Sequence, residues 1–145
     1  MEEEYLKLLR LFHEEGVEYA VVGGYAVIAH GFPRTTGDLD LWIHPTPVNA
    51  RRTVRALARF GYTEGEFEEA DFTQVPNFLS FHTNGVWIDL MTEVRGISFG
   101  EATANGLELT LEGVVVRYIS LPALRAAKRA AGRPQDLRDL ENLPE

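Results

Sequence analysis

The stretch "VVGGYAVIAHGFPRTTGDLDLWIH", Val21 to His44, decides the fold. An apolar run meets the glycine pair Gly23-Gly24, a short apolar segment follows, and a second apolar run then carries Asp38 and Asp40. Side chains alternate across a strand, so Asp38 and Asp40 project to one face and Leu39 and Leu41 to the other. Two carboxylates this close repel, and solvent, protonation or a cation must relieve the repulsion. A paired-carboxylate site suits Mg²⁺ or Mn²⁺, which take hard oxygen ligands.

Working outward, "VEYAVVG" is rich in β-branched and aromatic residues and reads as a strand. "GYAVIAHG" reads as a short helix from the glycine turn to Gly31, and Pro33 prevents its continuation. "DLDLWIH" is the second strand. Upstream, Tyr5, Leu8, Leu9 and Phe12 recur at helical spacing and predict an amphipathic first helix ending at Gly16. Downstream, Pro47 opens a helix that Gly61 closes, and "YTEGEFEEAD" is expected to be a polar connection.

"FLSFHTNGVWIDLM" predicts a hairpin around Asn84-Gly85, since that dipeptide favours the positive φ angles of a tight turn. "LELTLEGVVVRYIS" predicts two more strands around Glu112-Gly113, and "LPALRAAKRAAG" and "PQDLRDLENL" predict two terminal helices. The expected fold class is α+β, one mixed sheet flanked by helices, in a single domain over residues 1–145.

In "VWIDLM", Asp89 interrupts an apolar run and shares a strand face with Trp87 and Met91, so a buried Asp89 needs a partner or a metal. Three carboxylates from two strands suit two cations roughly 4 Å apart, the arrangement that clamps the attacking and leaving oxygens of an in-line phosphoryl displacement. Gly23 and Gly24 let backbone approach a ligand, and the N–H groups of the following helix favour phosphate oxygens. Arg34 is placed to add a bidentate contact to the same anion.

Other chemistry is excluded. There is no cysteine, hence no disulfide framework and no thiolate nucleophile, which fits a reducing, cytoplasmic setting. No G-x-G-x-x-G or Walker loop is present, and His13, His30, His44 and His82 show no ligand spacing. The first residues are acidic and the longest apolar stretch, Tyr19 to Ala29, falls short of the about 20 residues of a membrane span, so no membrane association is expected. A net charge of −8 argues against generic nucleic-acid binding through counterion release. Arg51, Arg55 and Arg59 form a helical stripe that reads as a solvated face before it reads as a nucleic-acid guide. Lys128 either reaches a phosphate or covers the end of its helix.

The order Gly-Gly, short helix, Asp-x-Asp strand, later acidic strand residue resembles the DNA polymerase β-like nucleotidyltransferase superfamily, through Gly23, Gly24, Asp38, Asp40 and Asp89. "GGYAVIAHGFPRTTGDLDLWI" is similar, more narrowly, to the small prokaryotic branch with AbiEii-type toxins and aminoglycoside or lincosamide nucleotidyltransferases, in which an arginine and a threonine precede the acids as Arg34 and Thr36 do. The tail, with Lys128, Arg133, Asp136 and Asp139, resembles the lysine-to-aspartate segment of that branch.

The resemblance implies a nucleotidyltransferase fold, Mg²⁺ on the aspartates and a nucleoside triphosphate near the glycine turn. Asp38 and Asp40 then ligate both metals, while Asp89 ligates one and helps deprotonate a hydroxyl acceptor on RNA (tRNA included), protein or an aminoglycoside-like small molecule. Many active members carry a sizeable helical domain after the core, whereas two short helices follow here. The acceptor is therefore expected in a homodimer interface or partner complex, or the chain is a non-catalytic nucleotide-binding module of a toxin–antitoxin pair.

Overall fold

The computed structural model describes residues 1–63 and 65–145. The elements run α1 (Glu3–Glu15), β1 (Tyr19–Val22), α2 (Gly23–Ala29), β2 (Asp38–Ile43), α3 (Pro47–Phe60), α4 (Glu69–Thr73), β3 (Phe78–Thr83) and β4 (Val86–Met91). They continue with α5 (Phe99–Ala104), β5 (Leu107–Leu111), β6 (Val114–Tyr118), α6 (Leu121–Ala131) and α7 (Pro134–Asn142). Local chemistry accounts for most boundaries. Gly16 closes α1 in the left-handed conformation, and Thr46 caps α3 by accepting from the Asn49 N–H, with Pro47 at the first helical position. Both hairpins turn on two residues of positive φ, Asn84-Gly85 and Glu112-Gly113.

Two short helices depart from the sequence reading. The "YTEGEFEEAD" segment, of which Glu64 lies outside the described residues, is not all connection, because α4 begins in it at Glu69. Reciprocal bonds between Glu68 and Asp71 start that helix, and Phe72 anchors it in the core. Ser98 caps α5 by accepting from the Glu101 N–H. Neither helix is long enough to show a helical period, although Ser98-x-x-Glu101 is the sequence signature of a capping box.

The six strands form one sheet in the order β3-β4-β2-β1-β6-β5. The β1–β2, β3–β4 and β5–β6 pairs are antiparallel, while β2–β4 and β1–β6 are parallel, so the sheet is mixed as expected. One face carries Leu39, Leu41, Ile43, Ile88 and Leu90, all essentially buried. α1 packs on this face through Phe12 against Tyr19, and α3 packs on α1. Between those helices Arg59 pairs with Glu14 and Glu15, and Arg55 with Glu15. Two members of the arginine stripe thus tie helix to helix. The opposite face carries Asp38, Asp40, Trp42, Trp87, Asp89 and Met91. Phe99 of α5 covers it at Trp42, with ring centroids 5.3 Å apart, and α6 packs beside α5. Covered at one end and open at the other, this face holds the site. Among the described residues, no helix is long and apolar enough to cross a membrane.

Candidate functional site

The parallel pairing of β2 with β4 sets Asp40 directly opposite Asp89, and Asp38 lies two residues along on the same face. One carboxylate oxygen from each of the three lies within 4.8 Å of the others. In β3, Ser80 is the cross-strand partner of Asp89 and its Oγ donates to Asp89 Oδ1 at 2.6 Å. The sequence analysis missed Ser80. The two-residue turn at Asn84-Gly85 fixes Thr83 opposite Val86, and counting back along the hairpin places Ser80 opposite Asp89.

The electrostatics are those of a negatively charged site awaiting compensation. Burial, then the neighbouring Asp38 and Asp89 carboxylates, push Asp40 up to about 8, against the pull of Lys128. Burial and the Asp89 carboxylate also raise Asp38, opposed by Arg34. Like charges at short range in a half-dry site cannot all remain ionised without a cation.

Gly23 begins α2 with φ +68, and a Cβ there would run into Asp40 Oδ2 and stand 2.9 Å from its Cγ. Gly24 is pressed equally hard from the other side, since a Cβ there would lie 2.7 Å from Thr36 Cβ and 3.2 Å from Arg34 Nη1. The glycine pair therefore lets α2 sit on the carboxylate floor and against the Thr36 loop. Gly23→Ala is expected to cost about 1–2 kcal/mol from the left-handed backbone and to displace Asp40. Thermal denaturation should show a correspondingly lower Tm in that variant.

The cations come from a network at the C-terminal helices. Arg34 makes a forked contact to Asp139, Nε to Oδ1 at 2.9 Å and Nη2 to Oδ2 at 3.0 Å. Lys128 Nζ is buried between Asp136 at 3.2 Å and Asp139 at 2.9 Å, and Arg133 Nε reaches Asp136 at 2.7 Å. Burial raises both aspartates, but the surrounding Arg133, Arg34 and Lys128 donors outweigh it and hold Asp136 and Asp139 below the usual carboxylate range. Three cations face two carboxylates, leaving a net positive edge. Arg34 has already committed its fork to Asp139, and its Nη1 donates to the Thr35 carbonyl at 2.8 Å. Lys128 does more than cover the end of its helix: paired with both aspartates, it also borders the cavity beside the carboxylates.

A cavity of about 700 Å³ lies between this network and the aspartates, bordered by Gly23, Gly24, Thr36, Asp38, Lys128 and Arg133. It brings together Gly23, Gly24, Arg34, Thr36, Asp38, Asp40, Lys128 and Arg133 of the residues singled out in the sequence, whereas Asp89, Asp136 and Asp139 do not border it. Histidines stay out of it: His30 Nε2 is 2.7 Å from the Ile119 carbonyl oxygen, and His44 is bonded to Glu18 and stacked on Phe99.

Over residues 1–145 the chain matches the family described as "Nucleotidyl transferase of unknown function (DUF2204)". No curated protein matches it at a significant level. Among solved structures, a protein described as a "putative nucleotidyltransferase (TM1012)" from Thermotoga maritima superposes with a TM-score of 0.65 at 18% identity, covering 97% of this chain and 92% of that one. The lincosamide antibiotic adenylyltransferase LnuA, bound to lincomycin, gives 0.61 at 19% identity, covering 98% and 95%. An antigenic nucleotidyltransferase-like protein from Paracoccidioides brasiliensis gives 0.55 at 18%, covering 98% and 76%. At these identities the structures establish a shared fold.

Proposed function

The chain belongs to the DUF2204 family of nucleotidyl transferases, and from that premise we propose that it transfers a nucleoside monophosphate from a nucleoside triphosphate to a hydroxyl acceptor at Asp38, Asp40 and Asp89. The convergence of three carboxylate oxygens within 4.8 Å carries this reading. The donor set fits Mg²⁺ or Mn²⁺: all ligands are hard oxygens, and the proton that Asp40 retains up to about 8 marks a charge deficit a divalent ion would fill. Asp38 and Asp40 would hold two such ions and Asp89 one of them. When bound, the ions neutralise the triphosphate and lower the proton affinity of the attacking hydroxyl.

The rest of the work belongs to the chain. The Gly23-Gly24 backbone and Thr36 border the cavity assigned to the phosphates, while Arg133 and the Lys128 network supply positive charge along the same wall. α2 spans only seven residues, so these side chains contribute more field than its dipole. Ser80 donates to one oxygen of Asp89 and leaves the other to accept the acceptor proton. The acceptor oxygen bonds to the α-phosphorus, the bond from that phosphorus to the bridging oxygen breaks, and pyrophosphate leaves. The likeness to LnuA over 95% of that chain supports a core of this size sufficing without a large appended acceptor domain.

Incubation with Mg²⁺, each α-labelled triphosphate and a panel of hydroxyl acceptors tests the reading. Transfer of label supports it. No transfer together with no Mg²⁺-dependent nucleotide binding would sink it.

A pH signature should accompany the metal. In the metal-free protein, folded Asp40 keeps a proton up to about 8 that the unfolded chain releases near 3.8. The folded state therefore binds more protons across this window, and stability falls as pH rises through it. A cation must displace that proton, so Mg²⁺ binds more tightly and raises Tm more at pH 8 than at pH 6. Equal Mg²⁺-induced Tm increments at the two pH values would contradict this assignment.

A further inference from the structure

A second cavity, of about 330 Å³, opens on the other side of the aspartates. It shares Gly23, Asp38, Asp40, Lys128 and Arg133 with the larger one, but Asp89 borders this cavity alone. Beyond those charged groups its lining is apolar: Met91 ends β4 and Val94 follows it, Ile119 lies after β6, and Leu124 and Ala127 come from α6. Phe78, 59% exposed on the edge strand β3, forms an uncovered apolar lip.

Resting on the nucleotidyl-transfer reading, we infer that this cavity is the acceptor subsite and that it takes a small amphipathic alcohol. The apolar body of the acceptor lies against α6 while one hydroxyl reaches Asp89. Three observations combine. The group assigned to the acceptor proton faces this cavity and not the other. The volume lies in the range that encloses small molecules. The remaining charged lining is Glu93 and Arg95, which with the three aspartates, Lys128 and Arg133 leaves four acidic groups against three basic ones. With the two signs nearly balanced, the lining offers neither a polyanion nor a polycation a complementary field, while Val94, Ile119, Leu124 and Ala127 offer a surface to an uncharged apolar body. In the transfer the acceptor O–H gives its proton to Asp89, its oxygen bonds to the α-phosphorus, and pyrophosphate carries away the electrons of the broken bond.

The full chain, Mg²⁺ and the four α-labelled triphosphates are incubated with phenyl β-D-glucoside, D-glucose, an oligoribonucleotide with a free 3′-hydroxyl, and denatured casein. Label is expected on the phenyl glucoside at least about tenfold above glucose, the discrimination an apolar pocket gives for added apolar surface, and not on the oligonucleotide or casein. Ala127→Phe and Val94→Phe, on opposite walls, should each lower that transfer about tenfold or more while equilibrium dialysis shows Mg²⁺-dependent triphosphate binding retained. Equal labelling of glucose, preferential labelling of the oligonucleotide or casein, or full transfer by both filled variants overturns the assignment. So does absence of label on every probe when saturation-transfer NMR also detects no contact with the phenyl glucoside. If wild-type protein fails even to bind the triphosphate with Mg²⁺, the nucleotidyl-transfer reading falls first and this subsite with it.

Discussion

Asp40→Asn is expected to abolish nucleotidyl transfer while making the metal-free protein more stable at pH 8. The two effects share one cause. Asp40 sits opposite Asp89 across the parallel β2–β4 pair, with Asp38 beside it, so its charge is the one the site accommodates least well without a cation. An amide of the same shape removes that repulsion. It also removes a ligand, and since losing one electrostatic stabiliser of a transition state already costs about 10²–10³-fold, turnover should fall by on the order of 10³-fold or more. Initial-rate measurements on label transfer and thermal denaturation in EDTA at pH 8 check the two halves. A structural carboxylate gives the opposite pattern, with activity retained and stability lost. Near pH 5 the gain in stability should shrink, because Asp40 of the native chain is then already protonated in the folded state.

The second large effect is on the fold. Asp139 is fully buried and accepts from both Arg34 and Lys128. Asp139→Asn leaves the Arg34 fork and one side of Lys128 unmatched, and breaking a buried pair costs about 3–5 kcal/mol, against under about 1 for an exposed one. The lower end applies, since the Arg34 side chain keeps 19% exposure and Lys128 retains Asp136. That amounts to a fall in Tm on the order of 10 °C. Replacing both partners, Arg34→Met with Asp139→Leu, should recover part of the loss, because the guanidinium is then no longer stranded and Lys128 still keeps Asp136. A Tm change of a degree or two for Asp139→Asn would mean that the network contributes little. Asp136 and Asp139 are held low, so their stabilising contribution is in place above the ordinary carboxylate range. It is lost only as pH falls through their depressed values.

Much of the site was legible because its determinants are local. The period of two in "DLDLWI" puts Asp38 and Asp40 on one face, and Asn84-Gly85 fixes the hairpin that carries Asp89. The glycine pair pointed to a close approach, although the groups approached are Asp40 and Thr36. What escaped is non-local. Nothing in the order of the strands says that β2 lies between β1 and β4, or that their register brings Asp40 level with Asp89. Arg34 looked like a free anion fork because its partner lies 105 residues away, in a helix whose helical period marks Asp136 and Asp139 for burial only once Lys128 is seen between them. Short α4 and α5 escaped for another reason, since five or six residues are too few to display a period.

The Arg34–Asp139 fork also makes two distant positions a single heritable unit. Loss of Asp139 alone leaves the guanidinium without its forked partner and loss of Arg34 alone leaves Asp139 to Lys128, whereas a paired exchange to apolar residues removes one charge of each sign, so across the descent of the family the two positions are expected to change together or to stay as they are.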